Sequence, residues 1–358
     1  MTIAKISVLG IGALGICSIL GNTNRPRIEA TTPNIDKAVH WLASVQGRDG
    51  GWGQDGDETS YVRVGEHLES NGNDVANTAV ATLALLHAGN SPVKGEYRSN
   101  VRRGVDFILK NVEDSPEEGL AVTRVTGTQI QRKLGPYIDT FLTSQLLSEL
   151  DGGMGDAQYN QRVRRALEKC VRKIERNQQK DGSWNIAGGW APILGTSMAS
   201  RSLDVARNKG VMVDAVAISK VDEYTKRAQK SESRDAAAGV SLYQNAQALE
   251  QLSRTEKDRV KNAPQIQAIT GQLADAKFVN GFGSMGGEEF FSYLNISDSL
   301  HRTGGTEWDK WNNQIKTQLV RLQNEDGTWA GHHCITGRVA VTSAAIMTLR
   351  AEVDPVRK

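Results

Sequence analysis

The sequence has few cysteines, few aromatic residues and almost no excess of charge, and these shortages exclude several functions. Of the three cysteines, one lies in an apolar N-terminal segment, which leaves Cys170 and Cys334, too few for a disulfide framework. The formal net charge of +2 offers no electrostatic footprint for nucleic acid. We therefore expect a globular protein whose core is held by packing and which has no nucleic-acid partner.

The first 30 residues differ from the rest of the chain. Lys5 precedes an apolar run from Ile6 to Leu20, and a polar stretch begins at Asn22. One basic residue, about 15 apolar residues and a polar exit are typical of a secretory signal, whereas a spanning helix needs about 20. We expect residues 1–30 to be a signal peptide that sends the protein to the periplasm or the extracellular space. An uncleaved membrane anchor and lipidation at Cys17 are the alternatives, and any membrane association would use this segment alone.

A short phrase, Gln-x3-Gly-x-Trp with Asp before the glycine, occurs three times. Its copies run from Gln46 to Trp52, from Gln178 to Trp184 and from Gln323 to Trp329. Asp-Gly is typical of a turn that ends a helix. We expect the Trp to fold back over the helix end, where the Gln amide can reach carbonyls that the helix leaves unpaired. We name each copy a clasp and predict a structural role for it.

Apolar residues recur with helical spacing in six pairs of segments. The first segment of each pair is amphipathic and charged, and the second is apolar or small on all sides, which predicts an outer ring of helices around an enclosed inner ring. The first segments are 35–45, 97–112, 159–178, 216–228, 265–277 and 308–322, and the second are 74–87, 137–150, 196–206, 236–252, 289–301 and 339–351. No pair of strands is evident. We expect one all-α domain, residues 31–358.

Three clasps and six helix pairs resemble the α/α toroid of the terpenoid cyclase and protein prenyltransferase superfamily, whose members carry such QW repeats. The resemblance covers essentially the whole chain after residue 30. It implies an (α/α)6 barrel with a central cavity, open at the end where the loops that enter the inner helices meet. It also implies an apolar or isoprenoid-like ligand, but it does not fix an activity, because one fold hosts many functions.

Class II terpenoid cyclases protonate an alkene with an Asp-x-Asp-Asp-Thr-Ala motif at the start of an inner helix, and its second Asp is the donor. In this sequence the matching stretch begins at Asp74, but Ala76 stands at the donor position and Asn77 at the third Asp. Protonating a carbon–carbon double bond requires a strong carboxylic acid in a dry pocket. We therefore do not expect squalene-hopene-type cyclisation. Asp74 and Asn77 remain candidate catalytic residues, as does Asp139, which could instead cap its own helix.

The low aromatic content gives a second argument against cyclisation. Cyclases stabilise carbocations with many Phe, Tyr and Trp faces, whereas aromatic residues make up 6% of this chain and several belong to the clasps.

Protein prenyltransferase β-subunits hold a catalytic zinc ion with Asp, Cys and His from inner-helix ends. His332, His333 and Cys334 are adjacent in this sequence, and imidazole and thiolate are ligands that zinc favours. The Asp-x-Cys spacing of that family is absent, and neighbouring His residues rarely bind one ion. We expect no cofactor. The alternatives are zinc bound by His333, Cys334 and a distant Asp such as Asp74 or Asp139, or a catalytic use of His332 and His333.

Glu288 and Glu289 follow a glycine-rich stretch and are favourably placed if an inner helix begins there. With Tyr137 and Trp190 they are the candidates for ligand contact. Three functions remain open. The chain is an exported toroid that binds an apolar or isoprenoid-like molecule, or a non-catalytic platform for an exported protein or a glycan, or a metal- or His/Asp-dependent lyase or transferase.

Overall fold

The structure is a computed structural model that describes residues 32–55, 62–63, 66–67, 72–186, 192–230, 238–281 and 286–353. The chain separates after Thr31, and every described residue belongs to the second unit. The predicted signal segment and Trp190 lie outside the described residues. None of the described helices is long and apolar enough to cross a lipid bilayer.

Helices make up most of the described chain. They are α1 Ile35–Ser44, α2 Val75–His87, α3 Arg98–Asp114, α4 Gln129–Leu134, α5 Ile138–Leu150, α6 Ala157–Arg176, α7 Pro192–Asn208, α8 Ala215–Lys230, α9 Ala238–Leu252, α10 Glu256–Lys261, α11 Ala263–Gln272, α12 Ala276–Val279, α13 Gly287–Thr303, α14 Gly305–Leu322 and α15 Arg338–Leu349. A short 3-10 helix, Ala351–Val353, follows α15.

No strand pair is predicted from the sequence, but the structure contains one. Strands β1 (Val62–Arg63) and β2 (Glu66–His67) form a two-residue antiparallel ladder between α1 and α2. The ladder belongs to a loop and adds no layer to the fold, so the predicted all-α class is confirmed.

Six helices form a closed inner ring. Around the ring, α2, α5, α7, α9, α13 and α15 each contact the next, and α15 returns to α2. All thirteen residues of α2 are buried, as are all those of α15 after Arg338. Their Ala, Ser and Thr residues allow neighbouring helix axes to approach closely. The predicted α/α toroid is therefore confirmed.

The outer helices cover this ring with one apolar face each. In α6, the residues Val163, Leu167, Cys170 and Ile174 are buried at the three- and four-residue spacing of an amphipathic helix. The prediction of a single fifth outer helix over 265–277 is wrong. That region holds α11, which ends at Gln272, and α12, because the side chain of Asp275 caps a separate short helix.

The three clasps make the same hydrogen bonds. Each indole Nε1 donates to a backbone carbonyl in the last turn of the preceding outer helix. The pairs are Trp52 with Leu42 at 2.7 Å, Trp184 with Ile174 at 2.7 Å and Trp329 with Leu319 at 2.8 Å. The indole, and not the predicted Gln amide, thus satisfies the unpaired helix carbonyl. Each Gln instead donates to its own clasp glycine and to a carbonyl of the next outer helix, from Gln46 to Asn100, Gln178 to Ala217 and Gln323 to Asn34.

These Gln contacts join neighbouring outer helices. Because Gln323 follows α14 and Asn34 caps α1, the third clasp ties the end of the outer ring to its beginning. The clasps also bind the inner ring, because the backbone N–H groups of the three Trp residues donate to hydroxyls of Thr78, Thr196 and Thr342. Each clasp Trp is thereby held against the inner helix that follows it.

Candidate functional site

The first turns of the inner helices meet at one end of the ring. Asp139 Oδ1, in the first turn of α5, accepts from the backbone N of Ala76 in the first turn of α2, at 3.0 Å. Arg338 N, at the start of α15, donates to Asp55 Oδ1 before α2, at 2.7 Å. We name this end the N-terminal rim. It comprises the first turns of α2, α5, α13 and α15, helix α4, and the loop 331–337.

Asp74, Asn77 and Asp139 form one buried cluster on this rim. Asp74 is the N-cap of α2. Its Oδ1 accepts from the backbone N of Asn77 and its Oδ2 from the Asn77 side chain, both at 2.8 Å. The second oxygen of Asp139 accepts from Gln131 Nε2 at 2.6 Å. The structure thus brings the three predicted residues together.

The alternative that Asp139 caps its own helix is wrong. Tyr137, not Asp139, occupies the N-cap position of α5, and the Asp139 carboxylate pairs with a backbone N–H of α2. Asp74 and Asp139 therefore satisfy two successive unpaired donors at the start of the same helix. Both carboxylates are used as caps of α2.

Burial raises the pKa of both carboxyl groups. The pKa of Asp74 rises to about 6, opposed by its hydrogen bonds to Asn77. The pKa of Asp139 rises to about 7, because burial is reinforced by the negative charge of Asp74. A carboxylic acid that holds its proton near neutral pH can donate a proton to a base. Such an acid is weak, whereas an alkene requires a strong one.

Glu288, His333 and Cys334 form a second cluster, where the loop 331–337 packs on the start of α13. The backbone N of Gly287 donates to Ile335 O at 2.8 Å, and the backbone N of Ile335 donates to Glu288 Oε2 at 3.2 Å. One ligand atom from each of the three side chains lies within 4.8 Å of the other two. The acid beside His333 and Cys334 is therefore Glu288, whereas the zinc alternative drawn from the sequence named Asp74 or Asp139.

The neighbouring Glu289 is held differently. Its Oε1 accepts from the Tyr243 hydroxyl at 3.0 Å, and its Oε2 accepts from the backbone N of Gly286 at 2.9 Å. Its Oε1 also lies 3.9 Å from His333 Nε2. Burial raises the pKa of Glu289, and His333 opposes this rise. Burial likewise raises the pKa of Glu288 to about 7.

Helix α4 joins the two clusters. Gln131 of this helix donates to Asp139 in the first cluster. Gln129 contacts the loop before α15 through both atoms of its amide. Its Nε2 donates to Thr336 Oγ1, and its Oε1 accepts from the backbone N of Thr336, each at 2.9 Å. Sequence reasoning missed Gln129 and Gln131. The Thr128-x-x-Gln131 capping box is the local signal that could have placed a helix there.

The remaining candidates lie apart from the clusters. His332 is exposed. Tyr137 lines a surface cavity of about 840 Å³ with the loop that follows α3. Trp190 lies outside the described residues.

Three comparisons with known proteins agree with this architecture. Residues 12–133 match the family model of the squalene-hopene cyclase C-terminal domain. The squalene–hopene cyclase of Bradyrhizobium diazoefficiens is 36% identical over 95 residues, and a probable squalene–hopene cyclase of Sinorhizobium fredii is 39% identical over 106 residues. A type II terpene cyclase from Scytonema, solved with its product merosterolic acid A, has a TM-score of 0.53 at 12% identity, over 90% of this chain and 96% of that one.

The resemblance to the terpenoid cyclase superfamily is confirmed. The matches cover 26% and 30% of this chain, but only 13% and 15% of the two relatives' own lengths. The likeness to the solved terpene cyclase is one of fold.

The opposite end of the toroid carries a set of ion pairs that was not predicted from the sequence. A cavity of about 370 Å³ is lined by charged residues from the C-terminal halves of five inner helices and by Arg254, which follows α9. The residues from the helices are His87, Glu149, Arg201, Asp204, Glu250, Asp298 and Arg302. We name this end the C-terminal rim. Its signal was present in the sequence, because charged residues recur at the ends of helices that are otherwise apolar or small.

Each described acid of the C-terminal rim has a basic neighbour. Glu250 Oε2 lies 2.7 Å from Arg254 Nη2, Arg201 pairs with Asp298, and His87 Nε2 lies 3.1 Å from Glu149 Oε2. Burial pushes the pKa of Glu250 upward, but Arg254 and then Arg302 outweigh it. The pKa of Glu250 therefore lies below its usual range. Such compensation is typical of ion pairs with a structural role.

Proposed function

We propose that the protein is a terpenoid-cyclase-like toroid that binds an apolar, isoprenoid-like molecule and does not protonate it. The observation that carries the proposal is the start of α2. Ala76 stands where the class II motif has its proton donor, and the two carboxylates beside it, Asp74 and Asp139, cap the helix. One alternative is a platform that binds an exported protein or a glycan, and the other is a lyase or transferase. No comparable observation supports either.

The relatives support the class of ligand. Two are named as cyclases of squalene, and the solved terpene cyclase holds merosterolic acid A as its product. A toroid that has the architecture of these enzymes and lacks the acid retains the means to enclose such a molecule. Because the matched part of each squalene–hopene cyclase is a small share of that enzyme, binding by this chain must be measured directly.

The binding test uses squalene as the probe. We expect the purified chain to retain radiolabelled squalene through gel filtration, and gas chromatography with mass spectrometry to recover the squalene unchanged. Cyclised product from the wild-type chain would contradict the proposal. A chain that retains no squalene and carries no lipid through purification would favour the platform.

Restoring the acid gives a sharper test of the same site. Ala76→Asp buries a carboxyl group next to the Asp74 and Asp139 pair, so we expect a loss of about 1–3 kcal/mol in unfolding free energy. Ala76→Asn has nearly the same size without the charge and is the matched control. The difference between the two variants, measured by urea denaturation, isolates the charge, and it should grow as pH rises. Equal stability of the two variants across pH would show that position 76 is not in an acid-rich, dry environment.

We also propose that the protein is exported through residues 1–30. The basic Lys5, the apolar run and the polar exit support this. Mass spectrometry of the N-terminus of protein recovered from the native cell envelope or medium tests it. A mature N-terminus near residue 30 is the expected result, and recovery of the full chain only from cytosol would contradict export.

A further inference from the structure

The outer ring is least regular at its fifth member. Clasps follow α1, α6 and α14, whereas the fifth outer helix is split and carries no copy of the clasp sequence. Between α11 and α14, beside the end of α13, lies a groove of about 730 Å³. We propose that this groove binds a single-chain amphiphile with an anionic head group, a medium-chain fatty acid. The inference does not depend on the proposed function.

The floor of the groove favours an aliphatic chain. Buried residues of α11, α13 and α14, and one that follows α11, form the floor, and they are Ile266, Thr270, Leu273, Leu300 and Trp311. The two polar groups among them are satisfied within the protein. Trp311 Nε1 donates to Ser297 Oγ at 2.8 Å, and Thr270 Oγ1 donates to Gln267 O at 3.1 Å. A chain of methylene groups can therefore cover this floor without leaving a polar group unpaired.

The charged residues that line the groove lie at one of its ends. Glu307 and Lys310 belong to the first two turns of α14, which begins directly after α13 ends at the C-terminal rim. Arg259 lies at the same rim, because its Nη1 donates to Ser253 O, just after α9, at 3.1 Å. The other end of the groove is formed by Leu273, beyond the last residue of α11. The lining is thus charged at one end and apolar along the rest of its length.

Arg259 supplies an excess of positive charge at the charged end. Glu307 and Lys310 pair with each other at 2.9 Å, so their charges cancel. Arg259 pairs with Glu256, but that carboxylate is 77% exposed and lies outside the groove, and solvent screens such a pair. An anionic head group at this end would lie beside Arg259 while its chain covers the floor.

The groove also has room along α11. This helix has ten residues, so it is about 15 Å long, which sets the length of chain that can lie along it. Gly271 of α11 lines the groove, and a Cβ at this position would meet no atom within 4 Å. Because Gly271 lies inside a helix, its backbone accepts a larger residue, and such a residue would fill the groove.

The test uses dodecanoate as the probe, below its critical micelle concentration, in isothermal titration calorimetry with the purified full chain. We expect one equivalent to bind. Gly271→Leu should weaken binding at least about 10-fold, because its side chain displaces two or more methylene groups of the ligand from the floor. Gly271→Ala is the matched control, because it adds a Cβ, leaves the groove open and should leave the affinity unchanged.

A second pair of variants tests the head group. Arg259→Gln should weaken dodecanoate binding about 2- to 5-fold, the range expected for a partly exposed ionic contact, and should leave the binding of dodecan-1-ol unchanged. Lys257→Gln is the matched control, because it makes the same change of charge at an exposed position of α10 that does not line the groove.

Circular dichroism of each variant separates a filled groove from a lost fold. A folded wild-type chain that binds no dodecanoate would overturn the proposal, as would equal affinities of folded Gly271→Leu and Gly271→Ala. Equal weakening by Arg259→Gln and Lys257→Gln, or an equal loss of dodecan-1-ol and dodecanoate binding in Arg259→Gln, would overturn the placement of the head group.

Discussion

The two rims of the inner ring hold the same kinds of acidic side chain in opposite surroundings. On the C-terminal rim, Glu250 lies against Arg254 and Arg302, and its pKa falls below its usual range despite burial. On the N-terminal rim, Asp139 accepts hydrogen bonds from neutral groups and faces the charge of Asp74, so burial raises its pKa to about 7.

The difference separates structure from function. Buried acids that are paired with Arg join the ends of neighbouring inner helices, and the Arg charges compensate the charges of the acids. Buried acids without such pairing keep a cost that only a proton, a cation or a ligand can relieve, and perturbed acids of this kind are concentrated at functional sites. The N-terminal rim is therefore where we place the candidate function.

The largest effect should come from breaking an ion pair on the C-terminal rim. Arg254→Met leaves the buried Glu250 carboxylate without its nearest cation, so we expect a loss of about 3–5 kcal/mol in unfolding free energy. Urea denaturation measures it. Adding Glu250→Gln to that variant should restore part of the loss, because it removes the uncompensated charge. A loss no larger than about 0.5 kcal/mol would show that the pair is not buried in solution.

A smaller, pH-dependent effect is expected on the N-terminal rim. The folded pKa of Asp139, about 7, lies above the ordinary value of 3.8. The folded state therefore binds the proton more tightly than the unfolded chain, and stability falls as pH rises from about 4 to about 7. Asp139→Asn removes this titration.

The difference in unfolding free energy between Asp139→Asn and wild type should therefore shift in favour of the variant by about 1–3 kcal/mol as pH rises from 4 to 8. Denaturant unfolding across this range measures the change. Parallel profiles for the two proteins would contradict the contrast between the rims. The pH dependence of stability that arises from Glu250 has the opposite sign. Because the folded-state pKa of Glu250 is lowered, its contribution to stability is present above pH 4.5 and is lost as pH falls further.

The smallest effect is expected at the surface. Lys310 and Glu307 form a pair at 2.9 Å on the exposed side of α14, and such pairs contribute about 0–1 kcal/mol. Lys310→Met should change the unfolding free energy by less than about 0.5 kcal/mol. A larger loss would mean that charge pairing stabilises this protein irrespective of burial.

Much of the fold could be predicted from sequence because its signals are local. Helical periodicity gave the inner helices closely, and the clasps marked ends of outer helices. The split of the fifth outer helix has a local signal in Asp275, whose side chain caps α12, but the apolar pattern continues across it. The short β1–β2 ladder lies in a polar stretch that carries no strand pattern.

The sites could be predicted only in part because their partners are distant in sequence. Glu288 meets Cys334 through the pairing of Gly287 with Ile335, and no local pattern encodes that contact. The capping of α2 by Asp139 likewise depends on how α2 and α5 are placed in the ring. The sequence shows that His333 and Cys334 are adjacent, but not that Glu288 lies beside them.

The central claim is that the carboxylates beside Ala76 cap α2 and protonate no alkene. The most direct measurement is incubation of the wild-type chain with squalene in D₂O, followed by mass spectrometry of the recovered lipid, since even reversible protonation of an alkene would introduce deuterium at carbon. The account predicts squalene that contains no deuterium. Deuterium in recovered squalene or in a cyclised product, abolished by Asp139→Asn, would contradict it.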